Sequence, residues 1–295
     1  MIRNGKEYEL LSIDAIARML DENGIHFDRM ILRDNFAMNL DMARSLAGDS
    51  LLRKILTPFH VNDIRIMRLV KGRVRIEINF HEYELNAGDI VMIKEDSYLE
   101  LHEISEDTEG QAIAYSPEKY PTNLHLSGKN TIKITPTEKE WDEIIRLLYT
   151  IYSTARLEPY KKDVVEPMVT ALVNDILYIA QPENSYSAAS AAEQLYNRFM
   201  DELNTNLSGK KPAKYYAERL CVTPQYLSRI VSQVSGKTVS YWINKATIMK
   251  ARILLRDTSK TISEISELLG FPNDSFFCRF FKRETGQTPT SYRKG

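Results

Sequence analysis

At 295 residues the chain is long enough for two domains, each able to bury its own core. Nowhere does it approach the roughly 18 uninterrupted apolar residues of a membrane span, residues 1–7 have no apolar stretch like that of a signal peptide, and Cys221 and Cys278 have no metal-ligand spacing. Neither a membrane span, a signal peptide nor a cysteine-bound metal is expected, and the reading is a cytoplasmic protein with two reduced thiols and no cofactor. The net charge of −1 hides a split: residues 210–295 hold 16 Lys/Arg against 6 Asp/Glu, a balance of +10, which leaves 23 against 34, or −11, for residues 1–209. A basic C-terminal module on an acidic body suits a polyanionic partner for the module alone.

In chain order, residues 12–22 read as a short helix with Ser12 as N-cap. From 64 to 115 the hydrophobic period becomes two. Val74, Ile76, Ile78 and Phe80 alternate with Arg73, Arg75, Glu77 and Asn79, and further strand-like pieces lie at 64–70, 83–85, 90–94, 98–104 and 111–115. Turn signals separate them at 71–72, 86–89, 95–97 and 107–110. Short strands at this spacing predict a small antiparallel sandwich or barrel.

Helical periodicity returns at Thr137, which makes a capping box with Glu140 and precedes Trp141, Ile144, Ile145, Leu148 and Ile151. Pro159 ends that run. A second apolar helix covers about 162–181, and residues 181–187 form the best linker. Two helices this apolar need a partner: the strands, each other or a second subunit.

The last 80 or so residues carry one pattern twice. Residues 215–222 and 262–271 are short amphipathic helices with a turn; 223–231 and 272–281 are second helices with Arg229 and Arg279 midway. The copies close on Ser235-Gly236-Lys237-Thr238 and Thr285-Gly286-Gln287-Thr288, fifty positions apart. Two close-crossing helices require a small residue, here Ala217 and Ser266, and the turn favours a residue tolerant of positive φ, which Gly270 is and Cys221 is not. Leu220, Val222, Leu227 and Ile230 supply one small core; Leu269, Phe271, Phe277 and Phe280 supply the other. The second turn is one residue longer and contains Pro272. Between the copies, 241–257 reads as one helix capped by Ser240, roughly 25 Å long at 1.5 Å per residue. Such a spacer suits two recognition helices entering major-groove faces about 34 Å apart.

Order, spacing and linker helix over 190–295, with the terminal run Phe280–Pro289 and Ser291-Tyr292-Arg293, resemble the AraC/XylS (arabinose-regulator) family of bacterial transcription regulators. The resemblance implies base contacts from Gln225, Ser228 and Arg229 in the first copy and from Asn273, Asp274, Ser275, Cys278 and Arg279 in the second. Each arginine can donate two hydrogen bonds to a guanine edge, and Gln225 can read adenine. Asp274, repelled by phosphates, suits helix capping better. Lys237, Lys245, Lys282, Arg283 and Lys294 are candidates for phosphate contacts.

The strand-turn-strand at 69–76 and the run at 83–93 also resemble, more loosely, the cupin-like sensor barrel of the same family. The expected fold is thus α+β: a small cupin-like β-barrel with flanking helices, then an all-α domain of two helix-turn-helix units joined by a long helix. The expected domains are 1–130 sensor, 131–181 helical dimerisation segment, 182–189 linker and 190–295 DNA-binding domain. The resemblance further implies a homodimer, double-stranded promoter DNA and RNA polymerase as partners, and a small polar effector. On the polar side of the strands His60, Arg65, Arg68, Arg75, Glu77 and Tyr115 are the candidates for holding one, with a solvated sheet face as the alternative.

Catalysis is not expected. Metal-dependent cupins need a His-x-His pair with a later Glu and His, whereas His60 is followed by Asn62 and His81, His102 and His125 are scattered; no nucleophile motif or phosphate-binding glycine loop is present. Three readings remain at this point: an effector- or dimer-controlled DNA-binding regulator, a ligand-independent regulator whose barrel serves only association, and a cupin-type binding protein or enzyme with an incidental basic tail.

Overall fold

The computed structural model describes residues 30–33, 36–40, 58–116, 131–180, 190–205 and 210–294. The expected helix at 12–22, His125 and the linker at 181–187 lie outside these residues. The chain divides into two compact units, one of residues 10–184 and one containing 185–295.

The first unit holds the strands β1 (Met30–Arg33), β2 (Phe36–Asn39), β3 (Phe59–Val61), β4 (Ile64–Lys71), β5 (Arg73–Ile78), β6 (His81–Asn86), β7 (Ile90–Ile93), β8 (Ser97–Ile104), β9 (Glu109–Tyr115) and β10 (Thr131–Ile134). They pair antiparallel into a six-stranded sheet, β1-β2-β9-β4-β7-β10, and a four-stranded sheet, β3-β8-β5-β6. The alternation allowed a sandwich or a barrel; the two open sheets packed face to face are the sandwich, and the closed cupin-like barrel implied by the resemblance is not formed among the described residues. Alternation sorts side chains to two faces in either architecture, and only the pairing of distant strands decides closure.

Three layers result. Ile76, Ile78, Leu99 and Leu101 of the small sheet meet Leu69, Val91 and Ile93 of the large one. The large sheet's other face, through Ile66, Ile90, Met92, Ile113 and Ile132, is covered by helices α1 (Glu138–Ala155) and α2 (Lys162–Ile179). Covered on both faces, β7 reads Ile-Val-Met-Ile and buries all four residues. The two apolar helices find their partners in each other and in this sheet: Ile144, Leu148 and Ile151 of α1 and Val165, Val169, Leu172 and Ile176 of α2 are buried there. The expected capping box is present, Thr137 and Glu140 bonding each other's backbone N–H.

Asp89 pins the turn between β6 and β7. Its carboxylate accepts from the Asn86 amide at 2.8 Å and the Thr135 hydroxyl at 2.7 Å, and lies 3.0 Å from the Lys133 ammonium. Burial opposes the charge, but these three donors outweigh it and hold the carboxyl below its usual range. A depressed carboxyl stabilises the fold above the ordinary carboxylate pKa, and that contribution fades as pH falls through the lowered one. Acid melts of the protein should therefore lose part of their pH dependence in Asp89→Asn; an unchanged slope between pH 5 and pH 2, an interval of about three units around the carboxylate range, contradicts this role.

The second unit is helical: α3 (Ala191–Thr205), α4 (Ala213–Arg219), α5 (Pro224–Ser235), α6 (Val239–Asp257), α7 (Ile262–Leu268), α8 (Asp274–Thr285) and α9 (Pro289–Arg293). The repeated Ser/Thr-Gly-x-Thr ending now has a physical meaning. Ser235 and Thr285 turn their hydroxyls back onto the carbonyls of Val231 and Phe281, at 2.6 and 2.8 Å. Gly236 and Gly286 then close α5 and α8 in the left-handed conformation, with φ of 68° and 78°. Thr238 and Thr288 cap the helices that follow. Thr238, not Ser240, is thus the N-cap of α6, because the helix starts earlier than its apolar periodicity suggests. With 19 residues α6 is about 28 Å long.

Candidate nucleic-acid interface

Each helix-turn-helix unit is built by a short helix crossing a longer one. Ala217 and Ser266 occupy the two crossings, both buried. In each turn an amide reaches back to that small residue, Val222 N to Ala217 O and Phe271 N to Ser266 O, both at 3.0 Å. The turn residue between them is left-handed in both copies: Gly270 at φ 73° and Cys221 at φ 56°. Cys221 therefore accepts the strain that its sequence position implied. Gly270→Ala should lower stability by about 1 kcal/mol, whereas Cys221→Gly should leave it unchanged or raise it. Denaturant midpoints measure this, and a stabilising Gly270→Ala is incompatible with the φ value. Residues 269–273 join α7 to α8 where 220–223 join α4 to α5, so the second turn is one residue longer.

The cores differ in composition. Around α5, Leu227, Ile230 and Val231 are buried, and Tyr216 of α4 meets Phe199 of α3 edge to face with centroids 5.6 Å apart. Around α8 the core is Phe277 and Phe281 with Ile265, Leu269, Ala251, Leu254 and Leu255. Lys210 ties the segment ahead of the first unit to the second. Its amide donates to Leu269 O at 2.8 Å, and its ammonium lies 4.4 Å from the Phe280 ring centroid. Burial, then the nearby Arg283, lowers that ammonium's pKa. No spacing rule in the sequence announces such a link.

On α5, Gln225, Ser228 and Arg229 are all exposed along the first two turns. On α8, Asn273, Asp274, Ser275 and Arg279 are exposed and Cys278 is half-buried. The capping role inferred for Asp274 belongs instead to Asn273, whose side-chain oxygen accepts from Phe276 N at 3.1 Å. Asp274 is the first helical residue, where its charge suits the helix dipole. Burial, then Asp274, raises the pKa of the Cys278 thiol. Both arginines stack on an aromatic ring three residues earlier: Arg229 on Tyr226, with its Cζ 5.0 Å from the centroid, and Arg279 on Phe276 at 4.7 Å.

Of the phosphate candidates, Lys282 and Lys294 are exposed, Lys237 lies 5.2 Å from the Tyr241 ring and Lys245 5.6 Å from the Trp242 ring. Arg283 is engaged with Glu284 and lies over Phe280.

The effector candidates are not brought together. Arg65 faces the space between the sheets, where its Nε donates to Asp63 at 2.7 Å. Tyr115 is fully buried beneath the helices. Arg68 lies beneath the same helices, donating to Gln111 Oε1 at 3.0 Å and stacking on Trp141 with its Cζ 4.2 Å from the ring. Burial lowers its pKa. Around it Ile66, Ile90, Ile113, Ile144, Leu148 and Leu172 leave a crevice with room for little more than a water molecule. His60, stacked on Tyr98 with centroids 4.5 Å apart, lies with Arg75 and Glu77 on the face of the small sheet turned away from the large one, where Glu77 is nevertheless buried. There Glu77, Glu82 and His102 bring ligand-type atoms within 4.8 Å of one another. Spacing along the sequence could not reveal that group, since its members come from three paired strands.

No helix among the described residues is long and apolar enough to cross a membrane. A family model described as a helix-turn-helix domain matches residues 216–295. The HTH-type transcriptional activator RhaR of Yersinia pseudotuberculosis serotype O:3 (strain YPIII) is 25% identical over 233 residues, covering 74% of this chain and 77% of that protein. Among solved structures, the C-terminal domain of AraT, a response regulator from Geobacillus stearothermophilus, is 30% identical over 36% of this chain and 88% of its own, with a TM-score of 0.34. ToxT from Vibrio cholerae O395 is 14% identical over 88% of this chain and 98% of its own, with a TM-score of 0.42. With antiparallel sheets followed by paired helix-turn-helix units, the chain is a DNA-binding transcription regulator, similar to the RhaR activators and to regulators of the AraC/XylS (arabinose-regulator) family.

Proposed function

We propose that residues 190–295 bind promoter DNA through both recognition helices and that the protein activates transcription as a homodimer in contact with RNA polymerase. In this reading α5 reads bases with Gln225, Ser228 and Arg229, and α8 with Ser275, Cys278 and Arg279. Asn273 and Asp274 shape the start of α8. Lys237, Lys245, Lys282, Arg283 and Lys294 contact phosphates. Residues 1–130 form a cupin-like sensor, 131–181 the dimerisation segment and 182–189 the linker. The observation that carries the DNA-reading assignment is the matched pair of exposed arginines, Arg229 and Arg279, each at the same position of a capped helix in a module with a balance of +10. The activator role follows the name of the RhaR relatives.

Duplexes selected from random oligonucleotides by the full-length protein test this directly. The expected result is two short motifs separated by about one helical turn. Recovery of sequences with no shared motif ends the assignment.

A second reading, a ligand-independent regulator whose sheets serve only association, is favoured by the tightness of the crevice beneath Arg68. A thermal-shift screen of the full chain against sugars and small carboxylates separates the two. A hit whose effect vanishes in Arg68→Ala supports an effector at that crevice; a hit that survives the substitution removes Arg68 from the site.

A further inference from the structure

Two large aromatic side chains stand outside every core of the DNA-reading unit and occupy the same place in both copies. Tyr226 and Phe276 are each the third residue of a recognition helix and are 39% and 50% exposed, while the residues that follow them, Leu227 and Phe277, are fully buried. Each is pinned at its backbone. The amide of Tyr226 donates to Thr223 Oγ1 at 3.2 Å, and that of Phe276 to Asn273 Oδ1 at 3.1 Å, so the cap that starts the helix also places the ring. Each ring then supports the arginine three residues on, at 5.0 and 4.7 Å. An exposed aromatic gains little from folding, so two at matched positions imply a partner that covers them.

The surroundings select the partner's chemistry. The rings lie on the first turn of helices rich in cationic and neutral polar groups, the part of a recognition helix that meets base edges. In a major groove the apolar feature is the C5-methyl group of thymine, and the feature matching an arginine fork is guanine. Three residues along a helix span about 4.5 Å, close to the roughly 3.4 Å between stacked base pairs. A ring and its arginine therefore reach neighbouring base pairs.

We propose that Tyr226 and Phe276 are specificity-determining residues, each packing on a thymine methyl next to the guanine read by Arg229 or Arg279. The same ring holds the guanidinium ready for that guanine, so one aromatic-arginine pair reads a two-base step in each half-site. This rests on α5 and α8 being the recognition helices.

The test uses the full chain and its selected duplex, replacing each thymine in turn by uracil, which removes only the C5-methyl group. Wild type is expected to lose about fourfold in affinity at one thymine per half-site, the worth of one buried methyl-sized group. Phe276→Ser should abolish that sensitivity in one half-site and Tyr226→Ser in the other, while Phe276→Leu, still apolar, should keep it. Because both rings lie outside the cores, unchanged melting of these variants is expected alongside. Indifference of wild type to uracil at every thymine overturns the proposal, as does sensitivity that survives both serine variants. If Arg229→Ala and Arg279→Ala still relax a guanine preference in that case, the recognition-helix reading stands and only this proposal falls. If wild type shows no sequence selectivity at all, the reading falls first and this proposal with it.

Discussion

Arg279→Ala should relax the sequence preference at one or two base pairs, at a cost of about 1–3 kcal/mol on the preferred site and little on others. The reason is geometric: Arg279 is exposed on the second turn of α8, its guanidinium steadied over Phe276, and a guanine edge offers two acceptors to its fork. Lys282→Ala should behave differently. An exposed ammonium without a fork recognises charge alone, so its loss should weaken binding to all sequences alike and reduce the salt slope by about one. Binding curves on the selected and scrambled duplexes at several salt concentrations distinguish the two. Equal loss on every sequence from Arg279→Ala would remove it from the base-reading set.

The largest stability effect is expected at Phe277, one residue beyond the exposed Phe276. Phe277 is wholly buried, with its centroid 5.4 Å from Phe271 and 5.9 Å from Phe281, in the only phenylalanine-built core among the described residues of the helical unit. Phe277→Ala removes a large apolar side chain from packing that α6 and α7 cannot refill, a loss of about 3–5 kcal/mol. Phe276→Ala, half-exposed and outside the core, should change stability by less than about 0.5 kcal/mol. Paired denaturation curves decide the matter: equal destabilisation by both variants is inconsistent with this division between core and interface. The contrast also separates folding from recognition, since each variant should damage one and spare the other.

Much of the helical unit was legible because its determinants are local. Periodicity located the apolar sides of α4 to α8, Ala217 and Ser266 marked the crossings, and Gly270 marked the left-handed turn that Cys221 shares under strain. Caps were less legible. Ser240 and Asp274 were as plausible by residue type as Thr238 and Asn273, and the true first turn distinguishes them only once the preceding glycine and turn are in place. The exposed rings of Tyr226 and Phe276 were hidden for a similar reason. Periodicity chose Leu227 and Phe277 for the cores and gave Tyr226 and Phe276 no role; only packing shows that these two rings stand exposed beside an arginine.

In the sheet unit, alternation identified β4 to β9 but not the short β1, β2, β3 and β10, whose three or four residues carry too few periods to register. Alternation also placed Arg65, Arg68, Arg75, Glu77 and Tyr115 in strands without saying which face each took. Pairing scattered them: Arg65 between the sheets, Arg68 and Tyr115 beneath the helices, and Arg75 and Glu77, with His60, on the far face of the small sheet. By itself, then, the sequence determined the repeated helix-turn-helix pattern, the charge split and the two apolar helices at 138–179, all properties of residues near one another in the chain. Tertiary structure alone decided that the strands form two open sheets, that the large sheet is the partner of α1 and α2, and that Lys210 reaches the second turn. Those outcomes depend on which distant segments pair, and pairing between distant segments leaves no periodic trace in a single sequence.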